Sequence, residues 1–250
     1  MLDRTQFLRP IAHRGLHDAS RGVIENTAPA FQAAIARGYG IECDLRPAAG
    51  GVPAVFHDAT LDRLIEGTGP VTALTQADLA RLRYRGSAER ILTFAALLDL
   101  VRGQVPLLVE VKGEWEAPHR AFLSSIAAQA SAYAGPLALM SFEPAIAGCL
   151  KELAPSVARG IVSGSYLADS GGWWPGLLPK GMRRDLRQLT GMTAVDASFC
   201  AYEVGALPTP ETQALRARGI PVFAWTVRTP ADHAVAAVHA DAMIFEDFTP

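Results

Sequence analysis

Two short apolar runs, Ile41-Glu42-Cys43-Asp44 and Val55-Phe56-His57-Asp58, bring acidic groups and an imidazole close together along the chain. Both are rich in Ile, Val, Leu and Phe and read as strands. Side chains alternate faces along a strand, so Glu42 and Asp44 share one face and Cys43 takes the other. Two neighbouring carboxylates repel each other. A hard divalent cation relieves that repulsion, and Ca²⁺ and Mg²⁺ both prefer oxygen ligands. The link Pro47-Ala48-Ala49-Gly50-Gly51 is too short for a parallel crossover, which takes about a dozen residues or more. It is expected to fold back and return His57 to the two acids. Such a cluster is suited to metal-assisted acid–base chemistry; the alternative is a solvated acidic pair beside a buried histidine.

More groups of the same kind sit where other strands end. Pro10-Ile11-Ala12 runs into His13-Arg14-Gly15, and Pro106–Gly113 carries Glu110 and Lys112 on one face. If these ends meet, three acids, two histidines and two cations converge from four places in the chain. Glu42, Asp44 and Glu110 then form an oxygen-ligand site for calcium or magnesium (Ca²⁺ or Mg²⁺). Arg14, Lys112 and the metal gather positive charge, which suits a phosphate group. Histidines with an ordinary pKa of about 6.5 can take and give protons at neutral pH. A cation clamp between two proton carriers suits in-line cleavage of a phosphodiester.

The elements that must position these groups alternate. Strands are expected at Ile11, Ile41, Leu108, Leu139, Ile161, Val195, Phe223 and Ile244, the sixth spanning Ala194–Phe199. Helices intervene, among them one opened by Glu25-Asn26-Thr27, one with a Thr75/Asp78 capping box, one with Phe94, Leu97, Leu98 and Val101 on a face, and one at Asp185–Leu189. The N-terminus is expected to run directly into the first strand. Eight strands alternating with helices predict an α/β fold, a (β/α)8 TIM barrel as a single domain over residues 1–250, with a hairpin and small helical insertion after strand 2, about 46–92. No Gly-rich dinucleotide turn follows the first strand, which weighs against an open doubly wound sheet. The long link Ser163–Met182 contains Trp173-Trp174-Pro175, and reads either as rim packing or as a cover over the site.

Of the 250 residues, 50% are hydrophobic and 19% charged, enough to build a substantial core. The net charge of −2 and the lack of a Lys/Arg block argue against nucleic acid as a partner. Neither a signal-type apolar segment nor a run of membrane-spanning length is found. Cys43, Cys149 and Cys200 are scattered, forming neither a disulfide framework nor a zinc pattern. A soluble cytoplasmic protein acting on a small molecule is expected.

His13-Arg14-Gly15, Glu25-Asn26-Thr27, Glu42-x-Asp44, His57-Asp58, Gly67-Thr68-Gly69, Glu110-x-Lys112, Ser141-Phe142 and Trp225-Thr226 together resemble the glycerophosphodiester phosphodiesterases. The resemblance spans nearly the whole chain in order. It implies a barrel, a divalent metal (Ca²⁺ or Mg²⁺), and hydrolysis of glycerophosphodiesters to glycerol 3-phosphate and an alcohol. It also implies that a neighbouring glycerol hydroxyl attacks first, giving a cyclic phosphate that water opens. In this reading His13 and His57 are the acid–base pair, Glu42, Asp44 and Glu110 hold the metal, and Arg14 and Lys112 bind the phosphoryl oxygens. Glu25, Asn26 and Trp225 are assigned to the substrate as well. The chain departs from the family in having Ile24 before Glu-Asn-Thr, Pro47 and Gly50-Gly51 in the hairpin, and Glu246-Asp247-Phe248 where Thr-Asp-x-Pro is usual. Two rival functions are a barrel aldolase using Lys112 as a Schiff-base lysine, and a non-catalytic phosphodiester-binding protein, which would not need two histidines.

Overall fold

The computed structural model describes residues 1–167 and 178–250. Eight parallel strands close into a barrel: β1 (Ile11–Ala12), β2 (Gly40–Pro47), β4 (Leu107–Val111), β5 (Leu137–Ser141), β6 (Ala158–Ser163), β7 (Phe199–Glu203), β8 (Val222–Val227) and β9 (Ala242–Phe245). Closure rests on β1, which pairs in parallel with both β2 and β9. The short β3 (Pro53–Val55) runs antiparallel to the end of β2, as the five-residue link requires. Gly51 in that link has φ +79°, and a Cβ there would lie 2.8 Å from the backbone of Phe122.

Most crossovers carry a helix whose start is marked in the sequence. Thr27, Thr75, Thr93, Thr209 and Thr229 precede α2 (Ala28–Ala36), α3 (Gln76–Arg81), α4 (Phe94–Val101), α8 (Pro210–Ala217) and α9 (Pro230–His239). All but Thr27 accept a backbone N–H bond, satisfying a donor the first turn leaves free. The remaining crossover helices are α5 (Arg120–Ala132), α6 (Pro144–Leu153) and α7 (Lys180–Arg187).

Two apolar layers result from strand alternation. Outward side chains such as Cys43, Leu45, Val109 and Val111 pack with Phe31, Leu97 and Ile126 of the helices. Inward side chains Ile11, Leu108, Met140, Val162, Phe199, Phe223 and Ile244 fill the barrel. Its lower end is stopped by Leu2 and Phe7, the latter on α1 (Arg4–Phe7). Between β2 and α4, the returning segment makes its own small core around Phe56, Leu61, Ile65, Leu79 and Tyr84. No helix among the described residues is long and apolar enough to cross a membrane.

Three local expectations are corrected. The chain does not run straight into β1, because Asp3 accepts from the Thr5 amide and caps α1. The sixth barrel strand, β7, begins at Phe199 and not at Ala194. Asp196 has φ 49°, which breaks an extended run, and Val195 is buried in the outer core without joining the sheet. The helix expected at Asp185–Leu189 lies earlier, over Lys180–Arg187, and Leu189 is itself at positive φ. Trp173 and Trp174 lie outside the described residues.

Candidate active site

Inward positions change character toward the C-terminal ends of the strands. Along β4, Leu108 is followed on the same face by Glu110 and then by Lys112; Ile11 of β1 is followed by His13, Phe223 of β8 by Trp225, and Ile244 of β9 by Glu246. One cavity of about 490 Å³ at this mouth is lined by His13, Arg14, Glu42, His57, Glu110, Lys112 and Trp225, among others. Seven of the ten residues singled out in the sequence therefore share this cavity. Asp44, Glu25 and Asn26 stand just behind the lining. Asn26 donates its amide to Asp44 Oδ2 (2.9 Å), and Glu25 Oε1 accepts from Arg14 (2.8 Å).

Backbone geometry at the first turn is specialised. Arg14 and Asn26 both occupy the left-handed region, φ 54° and 56°. The Arg14 amide donates to Glu42 Oε2 (2.9 Å), fixing that carboxylate. Gly15 has φ +79°, and a Cβ there would come within 2.9 Å of Ala30 backbone and side-chain atoms. The variant Gly15→Ala is expected to destabilise the protein by about 2–4 kcal/mol, adding left-handed strain to overpacking. Urea unfolding checks this; a loss below about 0.5 kcal/mol, the range of neutral surface changes, would show that the turn accommodates a methyl group.

Oxygen atoms of Glu42, Asp44 and Glu110 lie within 4.8 Å of one another. Burial, then the charges of Asp44 and Glu110, pushes the Glu42 carboxyl well above the usual carboxylate range. Asp44 goes the other way: burial opposes its charge, but Lys112 and other cations outweigh that and hold it well below. A buried trio in which one member is driven toward protonation is short of positive charge, and its three oxygen donors fit a hard divalent cation.

The two cations close the site. Lys112 Nζ lies 2.6 Å from Glu110 and 3.0 Å from Asp44. Burial works to discharge this amine, yet the two carboxylates more than offset it and raise its pKa. Arg14 Nε is 3.4 Å from Asp44 Oδ2.

His13 and His57 each present Nδ1 to a carboxylate. His57 Nδ1 is 2.8 Å from Asp58 Oδ1. Arg63 grips Asp58 at 2.6 Å and 2.9 Å, and also binds Glu25. His13 Nδ1 meets Glu246 Oε2, while its Nε2 faces Glu42 at 3.9 Å. Burial lowers the His13 pKa, partly countered by the Glu246 hydrogen bond. Burial works to raise Glu246, but bonds from His13 and His17 outweigh it and hold that carboxyl far below its ordinary value. The sequence assigns no site role to Glu246, Arg63 or His17. Only Glu246 carried a readable signal, being two residues beyond inward-facing Ile244.

The model of the Glycerophosphoryl diester phosphodiesterase family matches residues 13–249. Glycerophosphodiester phosphodiesterase 1 of Bos taurus is 35% identical over 125 residues, which is 43% of this chain and only 37% of that relative's length. Among solved structures, an Oleispira antarctica phosphodiesterase in complex with the product sn-glycerol-3-phosphate superposes with a TM-score of 0.77 at 20% identity, over 95% of this chain and 92% of that one. A glycerophosphodiester phosphodiesterase from Agrobacterium tumefaciens gives 0.70 at 24% identity, over 95% of each chain. Both likenesses establish the (β/α)8 barrel. The match over residues 13–249, on this fold, places the chain in the glycerophosphoryl diester phosphodiesterase family.

Proposed function

We propose that the protein hydrolyses glycerophosphodiesters to glycerol 3-phosphate and an alcohol, using a divalent cation, Ca²⁺ or Mg²⁺. One observation carries this reading: three buried carboxylates, two cations and two carboxylate-backed histidines converge on one cavity. When bound at Glu42, Asp44 and Glu110, the cation supplies positive charge against the phosphoryl oxygens.

The chain's own residues do the rest. Arg14 and Lys112 orient the phosphate group. Asn26 holds Asp44 and Glu25 holds Arg14, so these two support the site from behind. Trp225 offers a flat apolar wall, braced by its indole N–H donating to the Ser163 carbonyl (3.0 Å). His13 Nε2 takes the proton of the glycerol hydroxyl as that oxygen bonds to phosphorus. The bond from phosphorus to the alcohol breaks, and His57 supplies a proton to the departing oxygen. Water then opens the cyclic phosphate with the roles exchanged: His57 takes the water's proton and His13 returns one to the ring oxygen, restoring both. The unpaired thiols Cys43, Cys149 and Cys200 fit a reducing compartment, so we place this activity in the cytoplasm.

Glycerophosphocholine hydrolysis, measured after EDTA treatment and again with Ca²⁺ or Mg²⁺ restored, tests the proposal. Activity is expected only with the cation. Full activity after chelation would remove the metal, and no release of choline under any condition would remove the substrate class. The Schiff-base alternative loses ground because Lys112 sits between two carboxylates that keep its amine protonated, whereas imine formation needs it neutral. Borohydride with dihydroxyacetone phosphate is accordingly expected to leave the protein mass unchanged; a reduced adduct at Lys112 would restore that alternative.

A further inference from the structure

The geometry points to Glu246 as the positioning residue that sets which ring nitrogen of His13 faces the reaction. This inference rests on the proposed role of His13 as a base. Glu246 stands on the inward face at the end of β9, and Oε2 receives His13 Nδ1. His17 Nε2 lies 3.3 Å from the same oxygen. The other oxygen, Oε1, accepts from Arg228 Nε at 2.6 Å. The carboxylate is therefore held from both sides, and neither oxygen is free to turn away from His13.

An ionised carboxylate can only accept, so the proton on a neutral His13 ring must sit on Nδ1. Nε2 is then bare, and it is Nε2 that faces the Glu42 side of the cavity. A base needs that lone pair. Without the carboxylate, no other group among the described residues bonds Nδ1 to dictate the tautomer, and a proton on Nε2 would leave His13 unable to accept one from the attacking oxygen. Asp58 gives His57 the same kind of support at Nδ1. In His57 the support comes from the next residue in sequence; in His13 it comes from a residue 233 positions away.

The variant Glu246→Gln makes a sharp test. Arg228 Nε is a fixed donor, so the amide oxygen must turn toward it and the amide NH₂ toward His13. That NH₂ can only donate, which demands a bare Nδ1 and moves the ring proton to Nε2. We expect kcat on glycerophosphocholine to fall by about 10²-fold, the scale of one general base, with KM changed less than about twofold and affinity for Ca²⁺ or Mg²⁺ alone unchanged by calorimetry. Nitrogen-15 NMR of the wild-type ring, assigned by its loss in His13→Ala, should show a protonated Nδ1 and a bare Nε2; in Glu246→Gln the pattern should reverse. In a His13→Ala background, Glu246→Gln should cost nothing further. A wild-type His13 carrying its proton on Nε2 overturns the inference even if the variant fails to fold. Wild-type kcat in Glu246→Gln, or an additional loss in the His13→Ala background, overturns it too. Should His13→Ala itself retain activity, the failure belongs to the role of His13 as base.

Discussion

Glu42→Gln is expected to abolish divalent-cation binding and to lower kcat/KM on glycerophosphocholine by at least about 10²–10³-fold, while the protein stays folded. The scale is that of losing a ligand or an electrostatic stabiliser from a preorganised site. Folding should survive because Glu42 is the member of the trio whose charge is unwelcome: it is buried, beside Asp44 and Glu110, and its carboxyl is pushed upward. A neutral amide of the same shape relieves that repulsion and can still accept from the Arg14 amide. Asp44→Asn should also lose the metal, but for less clean reasons. Asp44 faces Lys112 at 3.0 Å and Arg14 at 3.4 Å, and removing its charge leaves buried cations short of a partner, at a cost of about 3–5 kcal/mol. Thermal melts with and without cation separate the two effects. Wild type should gain in Tm when Ca²⁺ or Mg²⁺ is added, since a ligand that binds only the folded state stabilises it. Glu42→Gln should show no such gain, and Asp44→Asn should melt lower in either condition. A Glu42→Gln protein that still takes up the cation and turns over like wild type would mean the metal sits elsewhere.

How much of this site could be read from the sequence depended on the distance between partners along the chain. Strand alternation alone put Glu42 with Asp44 and Glu110 with Lys112, because two-residue spacing fixes a shared face. The short link after Pro47 likewise forced the antiparallel return of His57. Contacts made across the barrel were illegible in those terms. Arg63 bridges Glu25 and Asp58 only because the segment after β3 folds over the mouth. Glu246 was noted in the sequence as a departure from the family pattern, and its meaning appears only when closure of β1 against β9 delivers it to His13. The misplaced sixth strand has a different cause. Val195 is apolar and buried, as a strand residue would be, but it packs against the outside of the barrel from a turn. Burial and apolar character do not distinguish those two environments without the backbone.

The two histidines should separate when the leaving group is varied. His13 follows β1 and turns Nε2 toward the metal carboxylates, whereas His57 arrives from the hairpin side of the mouth. In-line displacement needs the proton acceptor and the proton donor on opposite sides of phosphorus, and two histidines supplied by different elements can meet that need. In the first displacement His13 is assigned to the attacking oxygen, the glycerol hydroxyl or, on a diester that lacks one, water, and His57 to the departing one. An alkoxide leaves poorly without a proton; p-nitrophenolate leaves well without one. His57→Ala should therefore lose about 10³-fold in kcat on glycerophosphocholine but less than about 10-fold on bis(p-nitrophenyl) phosphate. His13→Ala should lose about 10³-fold on both, because each reaction still needs its nucleophile deprotonated. The Asp58 partner of His57 offers a check on the same assignment: Asp58→Asn, which loosens the support at Nδ1, should follow the substrate pattern of His57→Ala in milder form. Equal losses for His13→Ala and His57→Ala on both substrates would defeat the division of labour while leaving the hydrolysis itself untouched. A reversed pattern, with His13→Ala sparing the p-nitrophenyl diester, would exchange the two roles.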